Sequence, residues 1–324
     1  MAEQAARLGV VAIGRNEGAR LERCLRSLAD APGPVIYVDS GSSDGSPERA
    51  AALGAEVLGL DPRRPFTAAR ARAEGFQRLG LLAPELEFVM FVDGDCEVEP
   101  GWLGAATGFL DREPGFAVVC GRRRERFPQA SRYNALADSE WATPIGEALA
   151  SGGDAVFRCA AYRAVGGFDP AIIAGEEPEL CSRLRAAGWR IMRLDMPMTV
   201  HDAAMDRFSQ WWRRAVRSGM GYAQAWWATR ARGPGALFRA ELLRALAWAG
   251  VLPLFALLLG AAVHPALVLL WPLATLAQAL RIARREGWFR AKLSVAGKYA
   301  ELIGAVRYAL RALVRPTGAL ALDK

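Results

Sequence analysis

The turn Asp93-Gly94-Asp95 carries two carboxylates one residue apart, directly after the apolar run at residues 88–92. Hard divalent cations such as Mg²⁺ and Mn²⁺ prefer oxygen ligands and usually share them with substrate phosphates. The glycine between the aspartates lets the backbone approach a ligand closely. This spacing favours a divalent-cation site beside a diphosphate, although aspartate and glycine also build ordinary turns.

Polar side chains follow two earlier apolar runs as well. Asn16 and Glu17 come after the first run, and Asp39 and Asp44 come after the second. In an open α/β sheet, ligands bind beyond the carboxyl ends of the strands, so these residues and the acidic turn would meet at one edge. Asp39 can accept a hydrogen bond from an imide N–H, which uracil and thymine have. Simple turn formation is the alternative for Asp39 and Asp44.

Strand-like and helix-like segments alternate ahead of an apolar C-terminal region. Short apolar runs predict buried strands at 8–13, 35–38, 88–92, 117–120, 155–158 and 191–194. Helical patterns occupy 18–28, 178–187 and 206–229, and Ser46-Pro47 begins a further helix. The alternation predicts an α/β fold with an open, mostly parallel sheet and helices on both faces.

Residues 242–280 are strongly apolar and contain one charge, Arg244. One membrane crossing needs about 20 apolar residues, so this stretch predicts a helical hairpin that crosses at 242–262 and 265–281. Arginines flank both outer ends and none lies in the central turn, which places both ends in the cytoplasm. A buried helical hairpin inside a soluble domain is the alternative. The mixed tail at 291–314 is expected to lie along the membrane surface.

The composition agrees with this division. We expect a catalytic domain at 1–235 and a membrane-anchoring region at 236–324. The net charge of +7 suits phosphorylated substrates or an anionic membrane, and the chain has no nucleic-acid-binding motif. The five cysteines include no CxxC pair, so neither a disulfide framework nor a zinc site is indicated. The N-terminus lacks the pattern of a signal peptide.

Five segments, in order, resemble the family 2 glycosyltransferases of the GT-A fold. They are VVAIGRNEGARLERCLRSL, VIYVDSGSSDGS, FVMFVDGDCEVEPGWL, GGDAVFRCAAYRAVGGFDP and GEEPELCSRLRAAGWRI. The resemblance spans roughly residues 8–217 and implies a Rossmann-like nucleotide-diphospho-sugar transferase fold. It also implies that the protein transfers a sugar from a nucleotide-diphospho-sugar with the help of Mn²⁺ or Mg²⁺.

The resemblance also implies roles for residues on the donor side. Asn16 and Glu17 would lie near the nucleotide, and Asp39, with Asp44 nearby, would contact its base. Asp93 would face the nucleotide and share in the metal site, while Asp95 would be the main metal ligand.

On the acceptor side, Gly153 and Asp154 match a segment that borders the acceptor pocket in similar enzymes. Glu176 and Glu177 match the family's acidic pair, whose second member is the catalytic base. Glutamate stands at Glu177 where the family has aspartate, yet it can still take a proton from an acceptor hydroxyl. A base at Glu177 implies one direct displacement with inversion. The alternative is that both acids only begin a helix.

Two further positions match less completely. His201 corresponds to a histidine that serves as an additional metal ligand in related enzymes, although His201-Asp202 could be a hydrogen-bonded loop pair. Gln210 and Arg213 fit a QxxRW motif whose last position here is Arg214. Arg213 could hold the diphosphate, or this Trp-rich helix could lie at the membrane interface.

These features together predict an inverting, metal-dependent transferase of the hexosyltransferase class. The donor is expected to be a nucleotide-diphospho-sugar, with UDP favoured, and the acceptor a lipid-linked sugar or surface glycan. The catalytic domain would face the cytoplasm at the inner membrane. A sugar-phosphate nucleotidyltransferase is an alternative, although the first loop lacks the lysine expected to bind a triphosphate. The second alternative is a non-catalytic, membrane-anchored protein that binds nucleotide-sugars.

Overall fold

The computed structural model describes residues 7–314. The chain forms two compact units, the first ending at Asp206 and the second beginning at Arg207. This division falls before the domain boundary expected at residue 235, because the helix that follows Arg207 packs within the second unit.

The first unit contains a nine-stranded sheet. Its strands are β1 (Leu8–Gly14), β2 (Val35–Asp39), β3 (Glu56–Gly59), β4 (Phe88–Asp93), β5 (Cys96–Val98), β6 (Phe116–Glu125), β7 (Gly146–Glu147), β8 (Ala155–Arg158) and β9 (Arg190–His201). Its helices are α1 (Ala19–Ser27), α2 (Ser46–Ala52), α3 (Ala68–Leu82), α4 (Trp102–Arg112), α5 (Arg132–Trp141), α6 (Cys159–Ala164) and α7 (Glu176–Ala186).

The sheet has the strand order β3-β2-β1-β4-β8-β6-β9-β5, with β7 paired to β9. The first four strands are parallel to one another. β8 runs antiparallel to both β4 and β6, whereas β6 and β9 are parallel. The sheet is therefore mixed: its parallel half supplies the turns after β1, β2 and β4, and its other half adds β6, β8 and β9.

All six predicted strands are present, and most end within a few residues of their predicted bounds. The largest difference is in β9, which runs from Arg190 through His201. The predicted strand at 191–194 therefore covers only the first part of β9, and His201 does not lie in a loop beyond it. His201 lies within the sheet, where it pairs with Cys96 on β5 and with Glu125 on β6.

Helix α3 lies directly on the parallel half of the sheet. A side chain at Gly75 would overlap Val11 on β1 and Val38 on β2, so only glycine allows this close approach. Thr67 begins the helix, because its side-chain oxygen accepts from the backbone N–H of Arg70 at 3.0 Å. Both features fix the helix from which Arg72 extends.

The second unit is helical. Its elements are α8 (Phe208–Thr229), a 3₁₀ segment (Arg230–Gly235), α9 (Arg239–Leu246), a π turn (Ala247–Val251), α10 (Leu252–Ala262), a 3₁₀ turn (Pro265–Leu269) and α11 (Leu270–Val314). The chain kinks within α11 at Gly287, where φ is 84°. A side chain at Gly219 on α8 would overlap the backbone of Glu301, and one at Gly304 would overlap that of Val216. The segment at 291–314 therefore packs backbone to backbone against α8.

Two helices of this unit, Arg239–Ala262 and Pro265–Leu313, are long and apolar enough to cross a membrane, judged by length and composition. Only 17% of the most apolar window of the first is buried, and none of that of the second. A helical hairpin inside a soluble domain would be covered by protein. The exposure of these two helices therefore disfavours the alternative of a buried hairpin.

Candidate active site

The acidic turn lies at the end of β4, against β1. The backbone N–H of Gly94 donates to the carbonyl oxygen of Ile13 at 2.8 Å, and a side chain at Gly94 would stand 3.1 Å from that oxygen. The turn is therefore held against the neighbouring parallel strand. Both of its carboxylates remain partly exposed, at 28% for Asp93 and 22% for Asp95.

His201 lies beside Asp95. Its Nε2 atom is 3.3 Å from an Asp95 carboxylate oxygen, and its Nδ1 atom is 4.0 Å from Glu125 Oε2. The edge of the Trp141 ring covers the imidazole at 4.7 Å between ring centroids. Burial lowers the pKa of His201, but the neighbouring carboxylates of Asp95 and Glu125 outweigh burial and raise the pKa to about 9.

Glu125 is a buried carboxylate behind the histidine. It accepts hydrogen bonds from the backbone N–H groups of Phe127 and Ala203 and from the amide of Asn134, at 3.0–3.1 Å. Burial alone would raise the pKa of Glu125, but the contacts with His201 and these N–H groups hold it below its ordinary value. A carboxylate behind a histidine orients the ring and raises its basicity as a metal ligand.

These groups fit a divalent cation. Asp95 offers a partly exposed oxygen, and His201 offers a partly exposed nitrogen once an incoming cation displaces the imidazole proton. Further positions would be open to water or to substrate oxygens. Cys96 lies within 4.8 Å of both ligand atoms. Burial raises the pKa of the Cys96 thiol well above its usual range, so it stays protonated and is a poor ligand for a hard cation.

Arg72 joins the acidic turn to the acidic pair on α7. Its guanidinium donates to Asp93 Oδ1 at 2.7 Å and to Glu176 Oε1 at 2.8 Å, and it lies 3.3 Å from Glu177 Oε1. The side chain is 2% exposed and lies over the ring of Phe168 at 5.5 Å. Burial opposes the charge of Arg72, but the three carboxylates outweigh burial and keep its pKa above the ordinary value.

Glu176 and Glu177 begin helix α7, so they lie where the helix dipole favours negative charge. Burial and the neighbouring Glu177 raise the pKa of Glu176 to about 7, against the opposing effect of Arg72. The Glu177 side chain is more open, at 16% exposed against 8% for Glu176. The pair therefore begins a helix and also belongs to the Arg72 network.

Asp154 lies beneath the acidic turn and is fully buried. One carboxylate oxygen accepts from the backbone N–H of Asp93 at 3.0 Å. The other accepts from Thr199 Oγ1 and pairs with Arg123, each at 2.7 Å. With no exposed surface, Asp154 serves to position the turn in this structure, and its predicted contact with an acceptor stays a prediction.

Gly153 lies against the same network. A side chain there would come within 2.7 Å of Asp93 Oδ2 and 2.9 Å of an Arg72 nitrogen. Arg123 reaches Asp93 Oδ2 at 3.5 Å and faces the Trp141 ring at 5.6 Å. The structure thus brings Asp93, Asp154, Glu176 and Glu177 together through the buried Arg72 and the part-buried Arg123. Asp95 and His201 lie beside each other at the same turn.

The loops after β1 and β2 are joined to each other. Asn16 has a positive φ of 56°, donates its backbone N–H to Ser42 Oγ at 2.9 Å and accepts from the Ser43 backbone at 2.8 Å. Asp39 accepts four hydrogen bonds, from Tyr37, the backbone of Gly41, and both the backbone and hydroxyl of Ser42. A carboxylate has about four acceptor sites, so all those of Asp39 hold its own loop.

The remaining predicted residues have local partners. Glu17 pairs with Arg20 at 2.7 Å, and Asp44 accepts from the backbone of Ser46 at 3.0 Å where α2 begins. The hydrogen bond with Ser46 holds the pKa of Asp44 below its ordinary value. Arg213 is exposed on α8 of the second unit. Their contacts with a nucleotide stay predictions.

Sequence reasoning missed Arg72, Arg123 and Glu125. For Arg72 a signal exists, because it follows Ala69 by three residues and precedes Phe76 by four, both of which are buried on α3. A charge on the apolar stripe of a helix indicates a buried ion pair. Arg123 and Glu125 stand in the charged sequence Arg122-Arg123-Arg124-Glu125-Arg126, which offers no comparable signal.

Two family models match the chain. The glycosyl transferase family 2 model covers residues 10–164, and the glycosyl transferase family group 2 model covers 114–280. Among relatives, the pre-mycofactocin glycosyltransferase of Mycobacterium tuberculosis is 32% identical over 203 residues, which is 58% of this chain and 41% of the relative. The chain thus spans less than half the length of that relative.

Two further relatives are more distant. The N-acetylglucosaminyl-diphospho-decaprenol L-rhamnosyltransferase of M. tuberculosis is 26% identical over 273 residues, covering 65% of this chain and 88% of the relative. The succinoglycan biosynthesis protein ExoA of Rhizobium meliloti is 29% identical over 200 residues, covering 57% of this chain and 60% of the relative.

The fold is similar to that of solved glycosyltransferases. The mannosyltransferase PcManGT of Pyrobaculum calidifontis, solved with GDP-Man and Mn²⁺, has a TM-score of 0.65 at 19% identity, over 95% of this chain and 88% of that one. This similarity confirms the GT-A fold, with the mixed sheet described above. The family match and the fold together show that this chain belongs to the family 2 glycosyltransferases.

Proposed function

We propose that this glycosyltransferase is metal-dependent and inverting, and that it transfers a sugar from a nucleotide-diphospho-sugar to an acceptor at a membrane. The observation that carries the proposal is the Arg72 network. One buried guanidinium contacts Asp93 at 2.7 Å, Glu176 at 2.8 Å and Glu177 at 3.3 Å. It therefore holds the donor-side turn and the acidic pair in one fixed arrangement, as a reaction between two substrates requires.

The donor side is proposed to use the pair Asp95 and His201 for Mn²⁺ or Mg²⁺. Such a cation, when bound, offsets negative charge on the leaving nucleoside diphosphate. Asp93, held by Arg72 and Arg123, would bind the ribose side of the donor. The complex of PcManGT with GDP-Man and Mn²⁺ supports a donor and a cation of these classes.

The base of the donor is proposed to be uracil. Asp39 ends β2 beside Asn16 and Asp44, and its carboxylate can accept from an imide N–H once the Ser42 hydroxyl turns away. Comparing UDP with ADP as inhibitors of transfer tests the contact with Asp39, because adenine has no imide N–H. UDP is expected to bind more tightly, and a preference for ADP would limit Asp39 to holding its loop.

The acceptor side is proposed to use Glu177 as the base. Glu177 is the more exposed member of the pair, so an acceptor hydroxyl can reach it. Glu176 remains bonded to Arg72 and helps to hold the guanidinium in place. Removal of the hydroxyl proton by Glu177 leaves an oxygen that displaces the nucleotide from the anomeric carbon in one step, which inverts its configuration.

The acceptor is proposed to be a lipid-linked sugar or a surface glycan, reached from the cytoplasmic face of the inner membrane. Two apolar helices with exposed surfaces support attachment to a membrane. Arginines flank their outer ends, which favours a cytoplasmic position for both. The names of two relatives, one a decaprenol-diphosphate rhamnosyltransferase and one a succinoglycan protein, support acceptors of these classes.

The proposal is tested with Glu177→Gln in the purified full chain. Nucleotide-sugar binding with Mn²⁺ is expected to stay within about twofold of wild type, while turnover falls roughly 10²–10⁴-fold. Glu85→Gln, at an exposed position of the same unit, is the matched control and is expected to keep full activity. Wild-type turnover in Glu177→Gln would refute the assignment of the base.

The products of the same assay separate the alternatives. Transfer releases a nucleoside diphosphate, whereas a nucleotidyltransferase releases pyrophosphate. A protein that binds the nucleotide-sugar and releases neither product would be a binding protein. Product stereochemistry, read by NMR at the anomeric carbon, tests inversion directly.

A further inference from the structure

The second unit contains a polar cleft of about 420 Å³ between its helices. A cleft of this size lies within the range of small-molecule sites, roughly 300–1,000 Å³. Its walls come from α8, α9 and both halves of α11. The side chains that matter here are charged, amide or indole groups: Glu241, Arg244, Trp248, Gln278, Lys298 and Glu301. Such a lining is unexpected between helices that are otherwise strongly apolar.

The cations of the cleft have donors to spare. Arg244 donates from Nη2 to Glu241 at 2.9 Å, and Lys298 donates to Glu301 at 2.6 Å. A guanidinium has five N–H groups and an ammonium has three, so these bonds leave most of them available. Gln278 makes no side-chain hydrogen bond to the described part of the chain and adds a further free donor.

The position of the cleft along the helices places it near one end of the apolar hairpin. Glu241 and Arg244 lie in the first two turns of the helix that begins at Arg239. Gln278 lies three residues before Arg281, which at 1.5 Å per residue is roughly 4–5 Å along the axis. In a bilayer, this end of the hairpin would lie at the level of the lipid head groups.

The same helices expose apolar side chains on faces other than those that line the cleft. Leu243 and Leu246 on α9 are 53% and 47% exposed, and Leu273 and Leu276 on α11 are 60% and 50% exposed. These leucines suit contact with the hydrocarbon chains of a bilayer around the helices.

The charge at this end of the hairpin favours an anionic head. The basic residues are Arg239, Arg244, Arg281, Arg284, Arg285 and Lys298, and the acidic residues are Glu241, Glu286 and Glu301. Basic side chains therefore outnumber acidic ones at this end of the hairpin, while the cleft itself is lined by two of each sign. Guanidinium and ammonium groups with free N–H donors at a head-group level are typical ligands of phosphate.

We propose that this cleft binds the phosphate head of a membrane lipid, with Arg244 and Lys298 contacting the phosphate and Gln278 donating to it. The hydrocarbon chain extends from the cleft into the bilayer around the helices. The inference rests on the proposed function only in placing these helices in a membrane. A phosphorylated carrier of the acceptor and a resident phospholipid share this chemistry, and the test distinguishes them.

The test is calorimetric titration of the full chain in maltoside micelles with three probes. Farnesyl phosphate represents an isoprenoid carrier, phosphatidic acid represents a phospholipid, and inorganic phosphate represents the head alone. Wild type is expected to bind one equivalent of a lipid phosphate, and inorganic phosphate at least roughly tenfold more weakly. Preference for farnesyl phosphate supports a carrier in the cleft, and preference for phosphatidic acid supports a resident lipid.

The variants locate the site. Arg244→Gln with Lys298→Gln is expected to weaken lipid binding by at least about tenfold. Gln278→Leu, which keeps both ion pairs, is expected to weaken it about threefold to tenfold and serves if the double variant does not fold. Arg284→Gln, exposed at the same end of the hairpin but outside the cleft, is the matched control and should change it less than twofold.

Equal losses in Arg284→Gln and in the cleft variants would overturn the inference, because general attraction to a basic surface would then explain binding. Binding of inorganic phosphate as tight as that of the lipids would overturn the assignment to a lipid. Nucleotide-sugar binding is measured on the same samples. A protein that binds the nucleotide-sugar but no lipid phosphate refutes this inference alone. One that binds lipid phosphate but no nucleotide-sugar refutes the proposed function instead.

Discussion

Replacing Arg72 with methionine removes a buried cation that contacts three carboxylates, so the folded protein must lose stability. The guanidinium is 2% exposed and bonds to Asp93 and Glu176 at 2.7 and 2.8 Å. Removing one partner of a buried ion pair costs about 3–5 kcal/mol. For a unit of roughly 200 residues, this corresponds to a decrease in melting temperature of about 6–20 °C.

The pH dependence of the loss identifies its cause. The pKa of Glu176 is about 7 in the folded protein, against an ordinary value of 4.5. Between these values the folded state binds more protons than the unfolded state, so stability falls as pH rises, by about 1.4 kcal/mol per pH unit. In wild type this loss is complete just above pH 7. Without Arg72 the pKa of Glu176 rises further, so the loss continues to higher pH.

Thermal unfolding of Arg72→Met between pH 6 and 9 measures this difference. The variant is expected to lose stability between pH 7.5 and 9, where Glu176 no longer affects wild type. Adding Glu176→Gln to the variant should remove that slope. Arg78→Met, on the same helix but with a side chain 40% exposed, is the matched control and should cost at most about 1 kcal/mol. Two results would contradict this prediction. One is a melting temperature of Arg72→Met equal to that of wild type at pH 8. The other is an unchanged loss of stability between pH 7.5 and 9 after Glu176→Gln is added.

Three further changes test other parts of the structure. Glu125→Gln should lower Mn²⁺ affinity by about 10–100-fold, measured by titration, because the carboxylate behind His201 supports the metal ligand. Asp154→Asn should cost about 3–5 kcal/mol in thermal unfolding, because it leaves Arg123 buried beside a neutral amide. Gly219→Val should destabilise the helical unit by about 1–3 kcal/mol or more, because its side chain overlaps the backbone of Glu301.

Each change has its own control and its own refutation. Glu85→Gln should leave Mn²⁺ affinity unchanged, and an unchanged affinity in Glu125→Gln would exclude the supporting role. An Asp154→Asn protein as stable as wild type would show that the ion pair between Arg123 and Asp154 does not stabilise the folded protein. Ser218→Val, at the part-buried position before Gly219, controls for helix propensity. Equal melting temperatures of Gly219→Val and Ser218→Val would contradict the close packing of α8 on α11.

The strands of the parallel half could be predicted because each is a continuous apolar run buried on both faces. Residues 88–92 predict β4 to within one residue of its end at Asp93. Residues 191–194 predict only the first part of β9, since Asp195 and Pro197 interrupt the apolar run where its pairing with β6 is irregular. Helix α3 was missed because two of its buried positions, Arg70 and Arg72, are charged.

Apart from Glu125, the carboxylates of the site were accessible to sequence reasoning because each lies next to an end of a predicted strand or helix. The cations were not, because their partners are distant along the chain. Arg72 is 21 residues from Asp93 and 104 from Glu176. No local spacing rule connects residues so far apart, and only the packing of α3 on the sheet brings them together.

Acids that converge at one sheet edge nevertheless imply that buried cations exist. Asp93, Asp154, Glu176 and Glu177 lie close together, and burial together with the neighbouring Glu177 raises the pKa of Glu176 to about 7. Burial would also raise the pKa of Asp154, but Arg123 and the hydrogen bonds to Asp154 hold it below its ordinary value. A cluster of predicted site carboxylates is therefore a reason to search the neighbouring helices for an arginine on the apolar face. On α3 that search points to Arg72, which lies between Ala69 and Phe76 on the buried face of the helix.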